Sequence, residues 1–194
     1  MLHGREYASK IDIKLGTSTC TQSILDDESK LVRRIALDKT TTTATLGFNI
    51  GGMSLKDPNT GARRDGGKVG LEDSCKDENE AIERLLLFFK TEDGLDVNGL
   101  NYVIKRLEKL LKYFEEDNNH IIRGMSIFIV ADAAQKSYDL KLIDLVSIEP
   151  LESYLKRNID DESKERDEGV IFGTRKLLEL LYSIHGEKQT CSLF

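Results

Sequence analysis

The chain is short of cysteine, of net positive charge and of long apolar runs. Its 3 cysteines in 194 residues, Cys20, Cys75 and Cys191, are odd in number and lack metal-ligand spacing, so a reducing compartment is expected. With 28 Lys and Arg against 34 Asp and Glu, the formal net charge of −6 offers no overall field for nucleic acid or an anionic membrane. An anionic ligand would need a local basic pocket. No apolar run approaches the ~20 residues that span a bilayer, and Met1-Leu2-His3-Gly4-Arg5-Glu6 lacks the apolar stretch of a secretory signal. A soluble protein of the cytoplasm or nucleus is expected. No internal repeat, low-complexity tract, Gly-x-Gly-x-x-Gly or Walker loop is present. The length suits one domain over 1–194, with 187–194 as a tail.

What is present is hydrophobic periodicity of two kinds. Lys10 to Leu15 alternates strictly, with Ile11, Ile13 and Leu15 on one face and Lys10, Asp12 and Lys14 on the other, which predicts a half-buried strand ending at Gly16. Asp26 or Asp27 is placed to cap a short helix that turns Leu31, Val32 and Ile35 inward and Arg33 and Arg34 outward. The threonine-rich and glycine-rich run from Thr40 to Met53 reads as extended. Asp57-Pro58-Asn59-Thr60-Gly61 is a turn, because Pro presets φ and Gly supplies φ > 0. Arg63 to Gly70 reads as a basic, glycine-rich loop.

Asp77 with Glu80 resembles a capping box, followed by Ile82, Leu85, Leu86 and Phe89 at helical spacing. A second helix, Gly99 to Glu116, carries Val103, Ile104, Leu107, Leu110, Leu111 and Phe114 on one stripe; Lys105, Arg106, Lys109 and Lys112 form its solvent face. Ser126 to Val130 has the continuous apolar character of a strand buried on both faces. Tyr138 to Val146 is expected as its neighbour, joined by a loop around Gln135 and Lys136. A last helix begins near Asp167 and presents Ile171, Leu177, Leu178, Leu181 and Ile184. The class is α+β, a small mixed or antiparallel sheet with several packed helices.

Two sites carry chemistry. Asp12 and Lys14 place a carboxylate and an ammonium on one strand face, able to position a hydroxyl and an anionic group together. An exposed ion pair of little energetic value is the alternative. Strict alternation along Leu140, Leu142, Asp144 and Val146 turns the Asp144 carboxylate toward the core. There it would hold a metal such as Mg²⁺, pair with a cation or mark a bulge, unless Asp144 simply ends the strand.

Three segments in order, Ile11-Asp12-Ile13-Lys14-Leu15-Gly16, Ser126-Ile127-Phe128 and Leu142-Ile143-Asp144-Leu145, resemble the Asp-x-Lys-x-Gly, Ser-Leu-Leu and Ile-Asp-Phe motifs of the inositol polyphosphate kinase family. That family includes the inositol polyphosphate multikinases, inositol hexakisphosphate kinases and inositol trisphosphate 3-kinases. The joints are similar too: Leu46 to Met53, Ile104 to Glu115, and Asp167 to Gly173. The resemblance covers Lys10 to about Ile184.

It implies a kinase-like C-lobe that transfers phosphate from ATP, with Mg²⁺, to a phosphorylated inositol. By position, Asp12 and Lys14 would be catalytic. Asp12 would orient or deprotonate the attacking group, and Lys14 would bind substrate phosphate or the transferred γ-phosphate. Ser126 and Asp144 would order the nucleotide-metal site, with Asp144 ligating Mg²⁺. Phosphoryl transfer needs charge neutralisation and in-line positioning more than covalent chemistry, which these residue types suit. Arg63, Arg64 and Lys68 lie where the family places substrate-facing elements and would clamp inositol phosphates, a solvated loop being the alternative.

The chain departs from the family at Ala8, where Pro is usual, at Met125, where Ser is usual, and at Leu145, Val146 and Ser147 after the acidic motif residue. Family members also carry an upstream lobe with an ATP-contacting Lys and an adenine hinge, which the sequence before Tyr7 does not supply; a shortened chain lacking that lobe is expected. The alternatives are an inactive inositol phosphate-binding protein and a structural interaction domain. His3 is expected in a frayed terminus, His120 and His185 lack a Ser or Cys nucleophile context, and none receives a catalytic role. The terminus Cys191-Ser192-Leu193-Phe194 matches a prenylation box loosely, without an upstream basic run, so an unmodified tail is expected.

Overall fold

Strict alternation in Lys10–Leu15 places that segment inside a sheet with a buried and a polar face, and the computed structural model shows it there. Residues 8–20, 26–57, 60–64, 74–132, 136–145, 147–157 and 168–191 are described, with backbone alone at 157 and 187–191. Strand β1 (Ser9–Leu15) lies between β2 (Phe48–Ser54) and β6 (Ser126–Asp132), and β7 (Ser137–Ile143) pairs with the far side of β6. All three pairings are antiparallel, giving the order β2-β1-β6-β7. Ile11, Ile13 and Leu15 are at most 1% exposed. Strand β6 is interior to the sheet, and its Ile127 and Ile129 join the same core.

Helices cover the apolar face. Helix α3 (Glu78–Phe89) starts at Asp77, whose carboxylate accepts from the Glu80 N–H at 3.0 Å, while the Glu80 side chain accepts from Lys76 N–H at 2.9 Å. The cap follows the predicted box, with Glu80 reaching the residue before the N-cap rather than Asp77 itself. Helix α4 (Val97–Glu116) buries Val103, Ile104, Leu107 and Phe114, and its Lys105, Arg106, Lys109 and Lys112 are exposed as the sequence indicates. Helix α6 (Glu168–Cys191) buries Ile171, Leu177, Leu178, Leu181 and Ile184. Arg175 ties it to α4 through Glu115 at 2.6 Å, and Tyr182 donates to Glu108. Two short pairs, β3 (Lys90–Thr91) with β4 (Gly94–Leu95) and β5 (His120–Arg123) with β8 (Ser147–Pro150), and a short helix α5 (Leu151–Arg157) have no counterpart in the sequence reading. Segments this short contain too few periods to register as a pattern.

Three expectations are corrected. Helix α1 (Glu28–Thr40) is capped by Asp27, but Val32 is 63% and Ile35 40% exposed; of its apolar side chains only Leu31 and Leu37 are half-buried, and Arg34, expected to face outward, is half-buried as well. Its buried residue is Asp38, which accepts from Thr19 N–H at 2.8 Å and Thr19 Oγ1 at 2.6 Å. This polar anchor, rather than an apolar stripe, sets the roll of the helix. Secondly, the run read as extended from Thr40 includes a helical turn, α2 (Thr42–Leu46), before β2 begins. Burial of Thr42, Thr43 and Leu46 and a left-handed Gly47 cap (φ 66°), whose N–H donates to Thr43 O at 3.1 Å, override the strand preference of the threonines.

Thirdly, Asp144 does not face the core. Strand β7 stops at Ile143, and Asp144 takes a left-handed backbone, φ 59°, which breaks the alternation that would have buried its carboxylate. Of the predicted turn, Asp57 accepts from Thr60 N–H at 2.7 Å and Gly61 has φ 70°; Pro58 and Asn59 lie outside the described residues, as do Lys68 and the tail after Cys191. Cys20 and Cys75 are buried free thiols, and burial pushes the Cys75 thiol above its ordinary pKa. Among the described residues no helix is long and apolar enough to cross a membrane.

Candidate functional site

Register brings the predicted residues to one end of the sheet. Lys14 pairs across β1 and β6 with Ser126, and Ser126 pairs across β6 and β7 with Ile143, the residue before Asp144. Antiparallel partners share a face, so the Lys14 ammonium and the Ser126 hydroxyl project on the same side. The turn at Asp144 brings its carboxylate over that side. Lys14 Nζ donates to Ser126 Oγ at 3.0 Å and to Asp144 Oδ2 at 3.3 Å. The two partners lie 112 and 130 residues away in sequence. The Lys14 side chain is 18% exposed and that of Asp144 50%, so a cation sits at the bottom of the arrangement and a carboxylate at its mouth.

Asp12 sits two residues before Lys14 on the same face, opposite Gly52 of β2 and Phe128 of β6. Its Oδ1 is buried without a hydrogen-bond partner. A carboxylate oxygen held out of water without a donor is costly. Between Asp12 and Ile13 the β1–β2 register slips, and this irregularity falls at the glycine pair Gly51-Gly52. A Cβ at Gly51 would stand 3.5 Å from the Lys14 side chain. Glycine thus keeps the β2 side of the lysine open.

The loop after β1 is fixed by the Asp38 anchor: besides Thr19, the Asp38 carboxylate lies 3.5 Å from Ser18 Oγ, and Gly16 N–H donates to Gly47 O at 2.8 Å. Asp38 was not singled out from sequence. The available signal was a carboxylate three residues beyond Ile35, on the stripe assigned to the interior, combined with the hydroxyl run Thr17-Ser18-Thr19.

Arg63 and Arg64 occupy the segment that follows β2. Arg63 bridges to Lys56 through the main chain, Arg64 N–H donates to Leu55 O at 3.1 Å, and Arg64 Nη1 donates to Lys90 O at 3.0 Å. The structure therefore joins Lys14, Ser126 and Asp144, sets Asp12 two residues away on the same strand face, and places the two arginines on a separate, exposed element. Among the described residues no group of three or more His, Cys, Asp or Glu side chains forms a ready metal cage. The Asp144 carboxylate with the Ser126 hydroxyl offers oxygen donors only, which suits a hard divalent cation that brings its remaining ligands as water and phosphate. His120 begins β5 and takes no part in the cluster.

Residues 1–182 match the inositol polyphosphate kinase family. A search of curated proteins finds no match. Among solved structures, the fold is similar to that of the inositol phosphate multikinase Ipk2 from S. cerevisiae, determined in complex with ADP and Mn2+ (TM-score 0.72, 19% identity, covering 95% of this chain and 81% of that one). A second inositol phosphate multikinase structure, from a study of its protein engineering, gives a TM-score of 0.71 at 19% identity, covering 91% and 79%.

Proposed function

The chain belongs to the inositol polyphosphate kinase family, and on that premise we propose that it transfers the γ-phosphoryl group of ATP to a phosphorylated inositol at the Lys14 cluster. The observation that carries the reading is the convergence of Lys14 Nζ of β1 on Ser126 Oγ of β6 and on Asp144 Oδ2 in the turn after β7, partners 112 and 130 residues away in sequence. The hydroxyl oxygen of the inositol attacks the γ-phosphorus, the bond to the β,γ-bridging oxygen breaks, and ADP leaves with that electron pair. The hydroxyl proton passes to Asp12, whose buried Oδ1 has no other partner. Lys14 places a fixed positive charge where the transferring group gathers negative charge, and Ser126 orients the ammonium. Asp144, at the exposed mouth, would hold Mg²⁺ together with nucleotide phosphates, the metal supplying neutralisation of their charge. Arg63 and Arg64, exposed on the segment after β2, enter the proposal as cations that would meet the substrate's phosphates.

Incubating the purified chain with γ-labelled ATP, Mg²⁺ and a panel of inositol phosphates tests this directly. Label is expected in an inositol phosphate and is expected to disappear in Asp144→Asn. Label that persists in Asp144→Asn removes Asp144 from the site. Thermal stabilisation by an inositol phosphate with no transfer would identify a binding protein instead, since a ligand selective for the folded state raises its stability by mass action.

A further inference from the structure

We propose that the open edge of β7 and the adjoining face of α4 form a docking groove for an acidic, extended segment of a partner protein, which adds to the sheet as a strand. In the order β2-β1-β6-β7, strand β7 is terminal, and among the described residues nothing pairs with its outer side. Alternate residues of such a strand point N–H and C=O groups outward, a template for another chain. A groove of about 490 Å³ runs beside it. Leu140, Lys141 and Leu142 all line it, although successive strand residues point to opposite faces. Three consecutive residues share one cavity only if the cavity follows the strand's edge rather than either face.

The opposite wall is a single stripe of α4. Arg106, Lys109, Leu110 and Tyr113 are spaced three and four apart and therefore share one helix face. Tyr113 is 45% exposed, a ring with water on one side. The charges decide the occupant. Lys112 on the same helix is paired with Glu116 at 3.6 Å, and Lys141 with Asp139 at 3.5 Å. Arg106 and Lys109 have no carboxylate partner among the described residues, so two cations of a net acidic chain are directed to this groove without an internal counter-charge. A segment with carboxylates among apolar residues meets each part of it: main chain to the β7 edge, apolar side chains to Leu110, Tyr113 and Leu142, and acids to Arg106 and Lys109. Strand addition takes its affinity from the main chain and its selectivity from such flanking groups. The groove runs along the outer side of β7, whereas the Lys14 cluster lies at one end of the sheet and shares no residue with the groove's lining; the proposal stands independently of the kinase reading.

The test is fluorescence anisotropy of the full chain with a labelled peptide of about ten residues, enough to span β7, built from equal numbers of valine and glutamate. A lysine-for-glutamate peptide and a proline-interrupted peptide serve as controls. The acidic peptide is expected to bind more tightly than either control, and Arg106→Glu with Lys109→Glu is expected to weaken it about tenfold. Hydrogen exchange should show new protection of alternate amides in Ser137–Ile143, while phosphoryl transfer by the double variant is unchanged. The proposal is overturned by no binding of the acidic peptide at millimolar concentration, by equal binding of either control, or by an unaltered affinity in the double variant. A concentration-dependent dimer that protects the same amides would overturn it in favour of a second copy of this chain.

Discussion

A single unpartnered atom separates the functional from the structural reading of the site residues. Lys14 and Asp144 form an ion pair that would be ordinary at a surface, where such pairs contribute little. Asp12 differs, because its buried Oδ1 lacks a donor and the fold bears that cost. Asp12→Asn removes the charge while keeping the shape. It is therefore expected to leave the thermal midpoint unchanged or raise it by the equivalent of about 1 kcal/mol, while turnover falls by roughly 10²–10⁴. Calorimetry alongside initial rates checks both halves; a large loss of stability would make Asp12 a structural residue. At this scale the sequence displayed Asp12, Lys14, Ser126 and Asp144 but not how Asp144 reaches the others. Alternation pointed it into the core, and only the left-handed turn after Ile143, a matter of one φ angle, brings it to Lys14.

Elements with many repeats of a pattern were legible, and those held by polar anchors or close backbone contact were not. The alternation of β1 and the apolar stripe of α4 span enough residues to identify both. In α1 the Asp38 anchor fixes the helix and leaves Val32 and Ile35 in solvent, which no periodicity shows. Likewise the junction of β2 with α6 depends on two glycines 126 positions apart in the chain: a Cβ on Gly173 would lie 1.8 Å from Gly47 O. Gly173→Ala is expected to cost about 3 kcal/mol. Gly186 lies in the same helix with nothing within 4 Å of its Cβ position, so Gly186→Ala is expected to stabilise by about 0.5–1 kcal/mol. Urea denaturation of the two variants distinguishes packing from helix propensity, and equal effects would contradict the assignment.

The start of α4 offers a pH test. Tyr138 of β7 donates its hydroxyl to Asp96 Oδ1 at 2.8 Å, and Asp96 also accepts from Gly99 N–H at 3.0 Å as the helix cap. Burial, and then the bond to Asp96, hold the phenol well above its ordinary value. The folded state keeps this proton more tightly than the unfolded chain does. Its stabilisation is therefore complete below the unfolded value of ~10 and is lost as pH rises from there toward the folded value. Tyr138→Phe is expected to lower stability at neutral pH by about 1 kcal/mol and to show a shallower alkaline decline than the parent. Parallel alkaline curves would separate Tyr138 from the cap.

For the molecule as a whole, the α+β class and the ordering of motifs along the chain were apparent from sequence, and the sheet order β2-β1-β6-β7 explains why that ordering matters. Folding brings segments from the first and last thirds of residues 10–145 into neighbouring strands, so motifs that are separately unremarkable become one charged cluster. The short pairs β3–β4 and β5–β8 and helix α5 escaped notice because local pattern is weak over so few residues, and their pairing is set by the rest of the chain. Phosphorus NMR of the chain mixed with ATP, Mg²⁺ and an inositol phosphate substrate, run beside Lys14→Met, tests the central claim most directly. A new inositol-bound phosphate resonance growing together with ADP in the parent, and absent from a folded Lys14→Met, is the predicted result; the same resonance growing at the same rate in both proteins would contradict it.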